Sequence, residues 1–85
     1  MTSMEVFRTV KDSGTCHLVR PRKDAPGQYD ARPFGQGSKR GWFYVDLFTA
    51  SAVCAVHDAL NDKNKAKLEA LAIPKAAHVA FRLVR

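Results

Sequence analysis

Apolar and polar positions divide this chain into a strand-like first half and a helix-like second half. Met4 to Lys11 alternates and carries Val6, Phe7, Thr9 and Val10, residue types that suit a pleated surface, so it predicts a strand. Asp12-Ser13-Gly14 reads as a turn, with Gly14 suited to positive φ. Thr15 to Arg20 then reads as the returning strand of an N-terminal hairpin. Trp42 to Phe48 is aromatic and β-branched and predicts a third strand, placed at the centre of the sheet. Along it, Trp42, Tyr44 and Phe48 alternate with Phe43, Val45 and Leu47. One set must face a core and the other solvent or a partner, and the pattern leaves open which is which.

Beyond Phe48 the apolar period lengthens. Thr49 is the expected N-cap of a helix from Ala50 to Leu60, with Val53, Val56 and Leu60 on one face. Asn61-Asp62 closes it and caps a second helix, Lys63 to Leu71, with Leu68 and Leu71 turned inward. Pro74 suits the first position of a third helix, where a missing amide donor costs nothing. Lys75, His78, Arg82 and Arg85 form one stripe at helical spacing, which favours a helix over a strand through Val79, Phe81 and Leu83. A polar stripe of this kind is usually a solvated helix face. The remaining faces are too apolar for a simple surface helix, which points to burial or to a homo-oligomer. The expected fold is α+β: a three-stranded antiparallel sheet, the N-terminal hairpin plus one strand, packed against two to three C-terminal helices. With 85 residues the chain makes a single domain, 1–85, and its core is thin.

Charge changes the picture in one segment. Residues 21–41 are rich in Pro and Gly, lack periodicity and predict a long basic surface loop. Six of the fourteen Lys and Arg residues fall between positions 20 and 40: Arg20, Arg22, Lys23, Arg32, Lys39 and Arg40. Only Asp24 and Asp30 oppose them, so this stretch carries four of the chain's six net positive charges. Tyr29 and Phe34 lie inside it, and Trp42, Phe43 and Tyr44 follow. Such a surface is built to meet an anion.

Arg40-Gly41-Trp42-Phe43-Tyr44-Val45-Asp46-Leu47 resembles the RNP1 motif of RRM domains, in which strand aromatics stack bases beside a phosphate-holding basic residue. Phe43 stands where that family needs a small residue and Leu47 where it prefers an aromatic. The βαββαβ order is also absent. What carries over is a stacking platform of Trp42 and Tyr44 guided by Lys39 and Arg40. The competing expectation is that these aromatics are simply core, as most are in a domain this small.

Other chemistry is thinly represented. Cys16 and Cys54 could form one disulfide if the hairpin packs on the first helix, but two buried, reduced thiols are the simpler expectation. Cys16, His17, Cys54, His57 and His78 lack paired metal-ligand spacing, so no metal and no cofactor are expected. A small nuclease using His17 or His57 ranks low, because nothing pairs two titrating groups in one cleft. Asp46 is read as a strand terminator or helix cap, and Gly35-Gln36-Gly37 lacks the Lys and helix of a phosphate-binding loop. No run is long enough to span a membrane, the N-terminus lacks a signal-peptide core, and the cytosol is the expected compartment.

GWFYVDLFTASAVCAVHDAL, residues 41–60, followed by HVAFRLV, resembles small accessory proteins of bacteriophages, particularly those of actinobacteria. That resemblance implies action by binding, to nucleic acid or to a host protein. The leading expectation is therefore a non-enzymatic protein that engages nucleic acid. Arg20, Arg22, Lys23, Arg32, Lys39 and Arg40 would contact phosphates while Trp42 or Tyr44 stacks. The alternative is a phage inhibitor that inserts the same loop into a host protein.

Overall fold

The computed structural model describes residues 1–35 and 40–83. Lys39 and Arg85, both assigned to basic surfaces above, lie outside the described residues. The elements in chain order are α1 (Ser3–Ser13), β1 (His17–Pro21), β2 (Tyr29–Pro33), β3 (Phe43–Val45), α2 (Leu47–Ala59), α3 (Asp62–Glu69) and α4 (Ile73–Leu83). The strands form one antiparallel sheet in the order β2-β1-β3, packed with helices, and the class is α+β.

The first element departs from expectation: residues 4–11 are helix, not strand. Thr2 caps α1, its hydroxyl accepting from the Glu5 amide at 3.2 Å while the Glu5 carboxylate accepts from the Thr2 amide at 3.2 Å. This reciprocal box satisfies two donors that would otherwise be orphaned. Gly14 does take positive φ, 67°, but as the cap of this helix: its amide donates to the Val10 carbonyl at 3.0 Å. Ser3, Met4, Val6, Phe7 and Val10 make the buried face, which packs on α2.

The hairpin therefore lies one element later. β1 and β2 are its arms, with Leu18 opposite Arg32, Val19 opposite Ala31 and Arg20 opposite Asp30. The connecting turn closes with the Arg22 amide donating to the Gln28 carbonyl at 2.9 Å, and Gly27 supplies the positive φ, 83°. Residues 21–41 are thus not one loop, because Tyr29–Pro33 inside them is strand β2. Nor is the expected strand over 42–48 central or that long: only Phe43–Val45 is strand. β3 is a three-residue edge and β1 is the middle strand, its Leu18 and Val19 buried on opposite faces.

Tyr29 also reverses its expected place. It is buried in the core, and its hydroxyl accepts from the Ile73 amide at 3.3 Å, tying β2 to the start of α4. Val19, Tyr29 and Val45 make the core face of the sheet, against Val6, Phe7 and Val10 of α1, Ala50, Val53 and Cys54 of α2, and Ile73, Ala76 and Ala80 of α4. Cys54 and Cys16 are both free thiols, the first buried and the second half-buried. Burial pushes the Cys54 thiol up.

The helical half follows its caps. Asp46, not Thr49, starts α2: its carboxylate accepts from the Thr49 amide at 2.7 Å, so Leu47 and Phe48 belong to the first helical turn. Asn61 caps α3, accepting from the Asn64 amide at 2.9 Å. Pro74 is the second residue of α4, and the segment beyond it is helix, with Lys75, His78 and Arg82 exposed along one stripe. Arg8 on α1 pairs with Asp58 on α2 and reaches His57 Nδ1 at 3.2 Å, while His57 Nε2 meets the Glu69 carboxylate of α3 at 2.9 Å. One network of side chains thereby links three helices. Among the described residues no helix is long and apolar enough to cross a membrane.

The Asp46 cap yields a stability prediction. Asp46→Ala should lower the unfolding free energy in urea by about 1 kcal/mol, the usual worth of an N-cap. Hydrogen bonds from the Thr49 hydroxyl and amide hold the Asp46 carboxyl below the ordinary range. The cap's contribution is therefore fully present above the unfolded pKa of about 3.9 and lost as pH falls through the lower folded value. Denaturation midpoints measured from pH 7 down to pH 2 should converge for wild type and variant at the acid end.

Candidate functional site

Sheet register decides which side chains share a surface, because residues paired across antiparallel strands point to the same side. Leu18 pairs with Arg32 and Tyr44, Arg20 pairs with Asp30, and Trp42 stands just ahead of β3 with the parity of Tyr44. Val19 pairs with Ala31 and Phe43, and all three belong to or pack against the helical core. The helices take the Val19 face. Arg20, Asp30, Arg32, Trp42 and Tyr44 share the opposite one.

That outer face is organised around Trp42. The guanidinium carbon of Arg20 lies 4.6 Å from the indole centroid and that of Arg32 lies 4.5 Å from it, so cations from two other strands meet one ring. Contacts of this length lie well within cation–π range. Tyr44 is 51 % exposed and Phe34 44 % exposed; their rings meet edge to face with centroids 5.1 Å apart. Leu18 is buried on this side, apart from the main core, between Arg32 and Tyr44 in the pairing. The surface is a small apolar floor flanked by aromatic edges and guanidinium groups.

Carboxylates position part of the charge. Arg20 Nε donates to Asp30 at 3.2 Å, and Arg22 grips Asp24 through two bonds of 3.1 and 2.9 Å. Arg22 also stands 4.0 Å from Asp30. The Asp24 bonds raise the Arg22 pKa, and Arg22 in turn lowers that of Asp24. With Pro21 and Lys23 these groups line a polar cleft of about 380 Å³ at the hairpin end of the face. Arg20, Arg22, Lys23, Arg32 and Arg40 outnumber Asp24 and Asp30 here, so the face stays cationic. Exposed ion pairs hold little energy, roughly 0–1 kcal/mol, and an incoming phosphate can share their donors.

Cys16 belongs to this face by parity, and Phe34 anchors beside it, its amide donating to the Cys16 carbonyl at 3.0 Å. A hydrogen bond with the Cys16 thiol raises the Tyr44 pKa, with burial and the Cys16 and Asp46 charges adding to it. Sequence reasoning did not include Phe34 or Cys16 in the site. Phe34 was legible only as an aromatic of the basic segment and Cys16 only through the alternation that leads into β1; both fall into place once β1 is known to be the middle strand.

Histidines lie elsewhere. His17 is buried on the helix-facing side of β1, with Nδ1 2.7 Å from the Thr15 carbonyl, and His57 sits in the Arg8–Glu69 network. Among the described residues no group of three or more His, Cys, Asp or Glu side chains is arranged to hold a metal ion. The comparisons with protein-family models, with curated proteins and with solved structures found no match to this chain.

Proposed function

We propose that this protein is a non-enzymatic nucleic-acid-binding module that engages a single strand on the helix-free face of its sheet. The observation that carries this reading is the Arg20–Trp42–Arg32 cluster beside the exposed Tyr44–Phe34 pair. Bases stack on aromatic rings and on guanidinium planes, while the cations neutralise phosphates. Because Trp42 already carries two guanidinium groups, Tyr44 and Phe34 are the rings that take the base. Trp42 holds Arg20 and Arg32 in place, and a base added to either guanidinium would extend the stack. Arg22 and Lys23 would receive phosphate at the cleft end, and Arg40 in the turn ahead of β3.

Single strands are favoured over duplex on physical grounds. A stacking surface needs splayed bases, and a duplex buries its rings in its own stack. On the phage resemblance, the setting for this binding is the cytosol of an infected bacterium.

Fluorescence anisotropy with labelled single- and double-stranded oligonucleotides tests the reading. The single strand should bind more tightly, and log K should fall linearly with log salt. Trp42, the only tryptophan, should change its emission on binding. No association at low salt, or affinity indifferent to salt, would overturn the reading and leave the face to a host protein, where Arg and aromatic residues are also favoured.

A further inference from the structure

We propose that the cleft between α3 and α4 is a docking groove for an acidic amphipathic helix of a partner protein, distinct from the basic sheet face. Leu60, Leu68, Leu71, Val79 and Leu83 form an apolar groove of about 340 Å³, with Asn64 and Lys67 at its edge. That volume falls within the ordinary range for ligand clefts, roughly 300–1,000 Å³. Leu68 is buried and closes the floor, whereas Leu83 stands 58 % exposed at the mouth.

Charge identifies the occupant. On α3, Lys67 lines the groove and Lys63 stands one turn before it on the flank, while at 3.6 residues per turn Asp62 and Glu69 fall on the far side. Glu69 is there held by His57 at 2.9 Å. On α4, Lys75 and Arg82 flank Val79 at the same spacing. All four cations are exposed, and no acid lines the groove. An apolar trough between cationic rims complements a helix with leucine-like anchors at i, i+3 and i+7 and carboxylates beside them. A second copy of this chain, with its net charge of +6, would set like charge against like. A bilayer takes apolar side chains that project outward, whereas here Leu68 is buried, Leu60, Leu71 and Val79 are half-buried between two helices, and of the five only Leu83 projects.

The test is a titration of ¹⁵N-labelled full chain with two synthetic helical peptides. Both carry leucines at i, i+3 and i+7; one has glutamates on the flanks and the other lysines. The acidic peptide should bind saturably and shift the amides of Asn64, Lys67, Leu68, Leu71, Val79 and Leu83, and the basic peptide should not. Leu83→Asp, at an exposed position, should weaken the acidic peptide at least tenfold with an unchanged thermal midpoint. Lys67→Glu/Arg82→Glu should invert the preference between peptides. Arg20→Ala/Arg32→Ala should leave the affinity as it is, which separates this surface from the sheet face.

Three results would overturn the proposal. One is shifts centred on Arg20, Arg32 and Trp42, marking plain charge attraction to the sheet. Another is binding indifferent to Leu83→Asp. The third is that vesicles of anionic phospholipid, but not the acidic peptide, perturb the groove amides.

Discussion

Phe7→Ala should abolish the folded state at ambient temperature, giving a far-ultraviolet spectrum of an unfolded chain without added denaturant. Phe7 is fully inaccessible and is among the largest side chains of the core. It sits on the buried face of α1, the helix that packs against α2. Truncating a buried Phe to Ala costs roughly 3–5 kcal/mol, from lost transfer energy plus the cavity left behind. An 85-residue domain holds a total of roughly 4–13 kcal/mol, and this one has a thin core. At the lower end of that range, where a thin core puts this domain, the substitution removes most of what keeps the chain folded. Lys11→Ala, on the exposed side of the same helix, is the control and should leave the urea midpoint nearly unchanged. Phe7→Leu should restore a cooperative transition at a lower midpoint. A Phe7→Ala variant that unfolds at the wild-type midpoint would mean that α1 does not close the core.

The second large effect concerns the sheet face, and the two kinds of side chain there should separate in their salt dependence. Arg20→Ala/Arg32→Ala removes both guanidinium groups from Trp42. If each neutralises one phosphate of a single strand, the slope of log K against log salt should flatten by about 1.4. Affinity should fall most at low salt, where released counterions matter most. Tyr44→Ala should lower affinity roughly tenfold to a hundredfold at every salt concentration, with the slope unchanged, because stacking releases no counterions. A parallel shift in the arginine variant, or a slope change in the tyrosine variant, would contradict these roles. The same titrations with Phe34→Ala would show whether the edge-to-face pair acts as one platform.

The mistaken first strand shows how two periods can share a short window. Val6, Phe7, Thr9 and Val10 favour extended backbone by type, and eight residues suffice for an alternating pattern. The decisive signals lay at the ends. Thr2-Ser3-Met4-Glu5 has the spacing of a capping box, and Gly14 follows one turn after Val10 as a helix terminator does. Reading Gly14 as a hairpin turn got its conformation right and its role wrong. β2 had no local signal of comparable strength. Tyr-Asp-Ala-Arg-Pro carries one large apolar residue, so its alternation is nearly silent. It is a strand because β1 lies beside it, and as a sheet edge it tolerates the terminal Pro33.

By itself the sequence determined the helical half, through signals that act within a few residues: Asn61 ahead of Asn64 and Pro74 near the start of α4, with the cap of α2 at Asp46 rather than at the expected Thr49. It also determined that cations and aromatics crowd into positions 20–44. Only the tertiary structure decided what they make together. Parity separates two faces of a strand but cannot say which is covered. That depends on β1 taking the middle of the sheet and on α1, a helix, joining α2 in covering the Val19 side. Once that side is closed, pairing of Arg20 with Asp30 and of Leu18 with Arg32 and Tyr44 brings residues from three strands to one surface. Arg20 and Arg32 then meet Trp42 across gaps of 22 and 10 residues in the chain, a juxtaposition that local periodicity, which reaches only a few positions, does not encode.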